Sequence, residues 1–120
     1  AAERTLATIP RTFNMPIVVS VKYTLKPGKR AELLSFVMEN VINTRKEKGN
    51  ISYAHYPSIE NDQEMFVFET WDSFKALEDH INTPHYVTFD SRRKPLLESY
   101  EAQVYEATLF RSTNKAPRAD

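Results

Sequence analysis

Cysteine is absent from this chain, and its absence removes disulfide frameworks, thiol nucleophiles and thiolate metal sites. Glycine is nearly absent too. With only Gly28 and Gly49 available, neither a glycine-rich phosphate loop nor a dinucleotide fingerprint can be assembled. No apolar run approaches the roughly 20 residues that a membrane-spanning helix requires. Net charge is missing as well: 16 Lys and Arg offset 16 Asp and Glu. A neutral balance argues against a nucleic-acid binder, whose footprint is a basic patch. The three histidines show neither HxH nor HExxH spacing, so no metal site is expected.

Aromatic residues are what the chain has in plenty: seven Phe, six Tyr and one Trp in 120 residues, enough for the core of one domain. Residues 1–15 carry no period and read as an extended arm. The compartment stays open; a cytoplasmic one is favoured, and the opening Ala1 is compatible with a removed leader. From Ile17 to Leu25 apolar and polar residues alternate, the pattern of a half-buried strand, and Pro27-Gly28 ends it. From about Lys29 to Lys48 the period becomes helical, with Leu33, Leu34, Val37, Met38, Val41 and Ile42 on one stripe. Gly49 suits a helix C-cap.

Asn50 to Ile59 alternates again, placing Ile51, Tyr53, His55 and Ile59 on one side. Residues 60–64 form a hairpin loop, and Met65 to Trp71 returns as a strand apolar on both faces. Asp72-Ser73 caps a helix bearing Phe74, Leu77 and Ile81. Thr83-Pro84 opens another, with Thr as cap and Pro at the first helical position. Pro95 breaks that helix, and Glu101 to Phe110 is the last strand, followed by a polar tail over 111–120.

The order strand, helix, strand, strand, helix, helix, strand predicts an α+β, ferredoxin-like split βαβ domain with an antiparallel sheet over residues 16–110. Helices cover one sheet face. The other is too apolar to stay in water, which predicts a homodimer packed sheet against sheet.

Val19 to Leu25 with KPGKRAELL, then GNISYAHYPSIEND, then FVFETWDSFKALEDHINTPHY, resemble the antibiotic biosynthesis monooxygenase family, nearest its quinol monooxygenase branch. The resemblance spans about Pro16 to Phe110, and Glu69-Thr70-Trp71 followed by ALEDH and TPHY is its most specific part. It implies a dimeric α+β barrel with a pocket between sheet and helices in each subunit. It also implies oxygenation of electron-rich aromatic substrates by molecular oxygen without metal, flavin or haem. The haem-degrading branch carries Asn, Trp and His where this chain has Val21, His80 and Asp90. The polyketide-oxidising branch shares Trp71 but has Asn and Tyr in place of Val67 and Leu77. A sugar-isomerising branch also shows the TPHY turn.

The expected catalytic pair is His80, as general base or oxyanion partner, and Trp71 as pocket wall. Asn50, Tyr53, His55, Phe66, Phe68, His85, Tyr86 and Phe89 are the expected substrate contacts, with His55 facing either the pocket or the dimer seam. Each has a plainer alternative: Trp71 a core plug, His80 a hydrogen-bonded structural histidine, His85 a capping residue at a helix start. Arg92-Arg93-Lys94 reads as a solvated helix face, or as a clamp for a phosphorylated ligand. The expected activity is cofactor-independent monooxygenation of quinol-like or polycyclic phenolic molecules. Isomerisation of a small signalling metabolite, or ligand binding without catalysis, are the alternatives on this fold.

Overall fold

Alternation of large apolar residues makes Ile17–Leu25 a strand, β1, and its inward side is fully buried along Ile17, Val19, Val21, Tyr23 and Leu25. The computed structural model describes residues 15–114. The expectations for residues 1–14 and 115–120 lie outside the described residues. At the Pro27-Gly28 turn, Gly28 takes a φ of 77°, which a side chain would strain.

Helix α1 follows, Arg30–Arg45. Its buried side is Leu33, Phe36, Val37, Asn40, Val41 and Thr44. The expected stripe is therefore rotated: Leu34, Met38 and Ile42 form a row on the solvent side. The cause is visible at positions 40 and 44. Asn40 and Thr44 are polar, yet they are drawn inward because Asn40 Nδ2 donates to the Tyr53 hydroxyl and Thr44 Oγ1 to Asn40 Oδ1. Each buried Leu or Val contributes about 1.5–3 kcal/mol, and a satisfied polar pair costs little beside them.

The C-cap of α1 is Lys46 rather than Gly49. Gly49 serves a different purpose. A Cβ there would strike the side chain of Ala76 and come within 2.8 Å of Asp72 Oδ1. The missing side chain lets the turn after α1 press against the chain entering the next helix, where Asp72 N donates to Gly49 O at 2.9 Å.

Strands β2 (Asn50–Pro57) and β3 (Glu64–Trp71) form the hairpin, and β4 runs Leu97–Glu106. The sheet order is β2-β3-β1-β4, antiparallel throughout. That is the expected α+β ferredoxin-like arrangement. A register break between Asn50 and Ser52 turns Ile51 out to solvent, and Ile59 sits exposed in the hairpin. The last strand starts earlier and stops earlier than its composition suggests. After a register shift at Leu25 it pairs residue by residue with β1 from Ser99 onward and ends where Glu106 faces Ile17, so Leu109 and Phe110 lie beyond the ladder and exposed.

Helix α2 (Phe74–Ile81) is capped by Ser73, whose side chain accepts from Ala76 N. Helix α3 (Pro84–Arg93) is capped by Thr83, whose side chain accepts from Tyr86 N. Both caps agree with the sequence. Pro95 closes α3 with a single tight turn, Lys94–Leu96. The three helices lie on one sheet face, and the core sits between. No helix among the described residues is long and apolar enough to cross a membrane.

Candidate active site

Between β1, β3 and β4 on one side and α2 and α3 on the other lies a cavity of about 230 Å³. Val19, Val21, Leu77, Ile81 and Val104 give it apolar walls. Tyr86 and Tyr100 add aromatic ones, and Glu69, His80 and Glu78 are its ionisable residues. No Lys or Arg lines it. Phe74 and Ile81 are half exposed because this side of α2 faces the cavity rather than packing on the sheet.

His80 is the most enclosed of these groups, 1% exposed. Its ring lies 4.7 Å from that of Tyr86 and 4.8 Å from that of Trp71, centre to centre. Its Nδ1 stands 2.7 Å from Glu47 Oε2. A carboxylate only accepts, so Nδ1 carries the proton and Nε2 keeps its lone pair. That Nε2 is buried and has no hydrogen-bond partner. Burial pushes the His80 pKa below its ordinary value of 6.5; the hydrogen bond from Nδ1 to Glu47 and its charge pull upward, and His85 pushes down. The net direction is down, so the ring is a neutral base at pH 7.

Glu47 was not apparent from the sequence. It sits in the turn between α1 and Gly49, more than 30 residues from either histidine. The same Oε2 accepts from His85 Nε2 at 2.7 Å, and Thr83 Oγ1 lies 3.2 Å from that nitrogen. Chain spacing could not disclose this group, because three separate segments supply it. Its ligating atoms lie within 4.8 Å of one another, close enough to take a divalent cation once each imidazole carries its proton on the other ring nitrogen. Without one, the carboxylate satisfies both imidazoles.

Glu69 is the second group missed. The period-2 pattern puts it inward between Val67 and Trp71, 7% exposed, where the Trp71 indole N–H donates to its Oε1 at 2.9 Å. Burial raises its pKa from 4.5 to about 7, against the lowering effects of the Trp71 bond and of Arg93. Trp71 itself is fully buried and bridges the site: its ring meets His80, its N–H meets Glu69.

The other expected contacts divide. Tyr86 lines the cavity. Its hydroxyl accepts from Arg93 Nη2 at 3.4 Å, and burial raises its pKa to about 12. His85 and Phe89 instead line a neighbouring cleft of about 260 Å³ with Phe36, Asn40 and Arg92. Phe66 and Phe68 point to the opposite sheet face, because Met65 and Val67 take the inward positions. Asn50 is held at the strand break by Ser52 O and Thr70 O. His55 faces the interior rather than a seam. Its Nδ1 meets the Tyr23 hydroxyl and its Nε2 the Tyr53 hydroxyl, each at 3.0 Å. Enclosure among these rings, with the charge of Arg93 nearby, lowers its pKa to about 3.

Arg93 departs from the solvated face expected of Arg92-Arg93-Lys94. It is 3% exposed, bonded to Asp90 Oδ1 at 2.7 Å, and its guanidinium lies within 5.0 Å of the ring centres of Tyr23, Phe89 and Tyr100. Cation–π contacts and one ion pair offset its desolvation. Arg92 and Lys94 stay exposed.

Comparisons with known proteins agree with this architecture. The family model described as antibiotic biosynthesis monooxygenase matches residues 16–92. An uncharacterised protein of Synechocystis is 32% identical over 76% of this chain, which spans only 63% of that protein's length. The Bacillus subtilis protein named "Putative monooxygenase YcnE" is 30% identical over 69% of this chain and 87% of its own. Among solved structures, Rv0793 of Mycobacterium tuberculosis superposes with a TM-score of 0.72 at 28% identity, covering 82% of this chain and 99% of that one. The sheet order, the cavity beneath α2 and α3 and these matches lead to one conclusion: the chain belongs to the antibiotic biosynthesis monooxygenase family.

Proposed function

We propose that this chain is a monooxygenase of quinol-like phenols in which His80 accepts the phenolic proton. One observation carries the reading: His80 Nε2 is a buried lone pair without a protein partner, on a residue that lines an apolar cavity and whose other nitrogen is fixed by Glu47. A phenolic O–H is the donor such an atom lacks. Once deprotonated, an electron-rich phenol can pass an electron to oxygen by itself. The protein then has to bind it, hold the anion and exclude water. The family match and the monooxygenase names of its relatives support the reaction class.

The cavity volume lies below the roughly 300 Å³ at which ligand sites usually begin, which favours one or two fused rings over larger polycycles. The cavity carries carboxyl groups and no cation, which weighs against the phosphorylated ligand of the isomerase alternative. Two copies pack through the outer sheet face in this proposal, where Phe66 and Phe68 stand 39% and 41% exposed beside Val18 and Tyr105. An apolar face of this kind marks an interface.

Oxygen consumption is measured with a panel of hydroquinones and naphthols, without added cofactor and in EDTA. The wild type is expected to consume oxygen, and His80→Ala to lower kcat by about 100-fold, the scale of a lost general base. No uptake across the panel, or equal uptake by the variant, defeats the proposal.

A further inference from the structure

We propose that Glu69 is a second catalytic group of this cavity, a carboxylic acid that donates a hydrogen bond to the ligand oxygen on which negative charge gathers when His80 takes the proton. The inference rests on the reading of His80 as base and adds a residue and a role to it.

Geometry comes first. Glu69 lies on the inward face of β3, opposite Val19 of β1 and Tyr53 of β2, and it lines the same cavity as His80. A carboxyl group there is removed from water without an ion-pair partner. Arg93, the cation that acts on it, is itself bonded to Asp90 and Tyr86. Tyr53 faces Glu69 from β2, Glu78 and His80 from α2, Tyr86 from α3, Tyr100 from β4, and Glu47 acts on it from the turn after α1. Apart from Arg93 none of these brings a positive charge near pH 7, and Glu47 raises the proton affinity of Glu69 further.

Trp71 needs only one acceptor for its indole N–H, and Glu69 Oε1 supplies it. The remainder of the carboxyl group is then free of that duty. Two titratable groups on one cavity, one pushed to stay unprotonated and the other to stay protonated, make an acid–base pair. The step balances simply. The ligand O–H bond breaks, its proton passes to His80 Nε2, and the electron pair stays on the ligand. Glu69 keeps its own proton and shares it with the anionic oxygen, as a protonated carboxyl does in an oxyanion hole.

The design makes the pair testable through Trp71, the one tryptophan of the chain. Indole fluorescence is followed against pH in the wild type and in Glu69→Gln, which retains an acceptor for Trp71 and a donor for the ligand. The wild type is expected to show a transition with a midpoint near the Glu69 value of about 7, and the variant none. The affinity for 4-nitrophenol is then measured at pH 6 and pH 8, with its absorbance reporting the bound phenolate. At pH 6 the two proteins are expected to agree within about threefold. At pH 8 the wild type must first reprotonate Glu69, so Glu69→Gln binds about tenfold more tightly.

Parallel pH profiles in the two proteins overturn the role of Glu69, as does a wild-type fluorescence curve without the transition. A His80→Gln variant runs beside them. At pH 6, where free 4-nitrophenol keeps its proton, bound phenolate undiminished in that variant removes the base reading, whatever Glu69→Gln does, so the two failures are told apart.

Discussion

At His80 one ring nitrogen is held and the other left bare, and in the proposed reaction that asymmetry makes the residue the base. Glu47 fixes the tautomer and steadies the imidazolium that forms when a proton arrives. Replacing Glu47 by Gln puts an amide where a carboxylate stood and removes the charge. The expected result is a kcat lowered about 10-fold or more with KM little changed, read by steady-state oxygen uptake with the best phenol of the panel. An unchanged kcat separates Glu47 from the base. His55 is the contrasting histidine, with both nitrogens engaged and a folded pKa of about 3. Its unfolded value is near 6.5, so between these values the unfolded chain binds the extra proton. Stability from this group is therefore complete above pH 6.5 and drains as the pH falls. Urea unfolding at pH 7 and pH 4.5 should differ by roughly 2 kcal/mol more in the wild type than in His55→Gln. Glu69 acts in the opposite sense: its raised pKa costs stability as the pH climbs from 4.5 through about 7.

Among the elements, the turn from Lys46 to Gly49 has the most dependent on it. It places Glu47 under α2 and α3, and it can do so only because position 49 lacks a Cβ. Gly49→Ala would press into Ala76, push α2 away from the turn and lengthen the His80–Glu47 contact. A loss of about 2–3 kcal/mol in denaturant unfolding is expected, together with a weakened activity, since backbone shifts of this kind cost about what core overpacking does. Helix starts were plain from sequence: Ser73 and Thr83-Pro84 act locally, on the N–H groups three residues on. The rotation of α1 was not. Leu33, Val37 and Val41 fit either stripe, and the hydrogen bond of Asn40 to Tyr53, 13 residues away, decided between them.

For the whole molecule the telling feature is the contrast between the two sheet faces. Helices and the cavity occupy one. Phe66 and Phe68 stand on the other, in the strand that reads apolar on both sides. For the proposed sheet-to-sheet dimer, Phe66→Asp with Phe68→Asp should shift sedimentation to monomer and leave the circular dichroism unchanged, because both side chains lie outside the core. An unaltered sedimentation coefficient, or a wild type that is already monomeric, rejects the sheet-to-sheet dimer. Edge strand β4 contributes to both faces. Its Val104 lines the cavity, and its Tyr105 faces outward.

The sequence alone determined the order of elements, the N-caps at Ser73 and Thr83, the inward and outward sides of β1 and the family signature around Trp71. These rest on periods of 2 and 3.6 and on bonds spanning three or four residues, which are properties of local chain geometry. It also singled out His80. Only the tertiary structure decided what surrounds that residue. Glu47 comes from one turn, His85 from the next helix and Glu69 from the third strand, and no spacing along the chain encodes their approach. Arg93 is a charged residue in a run of three, yet it is buried, because three rings and Asp90 close around it. Composition records which side chains are available; the sheet register and the helix crossings set which of them lose their water together, and with it their ordinary proton affinities.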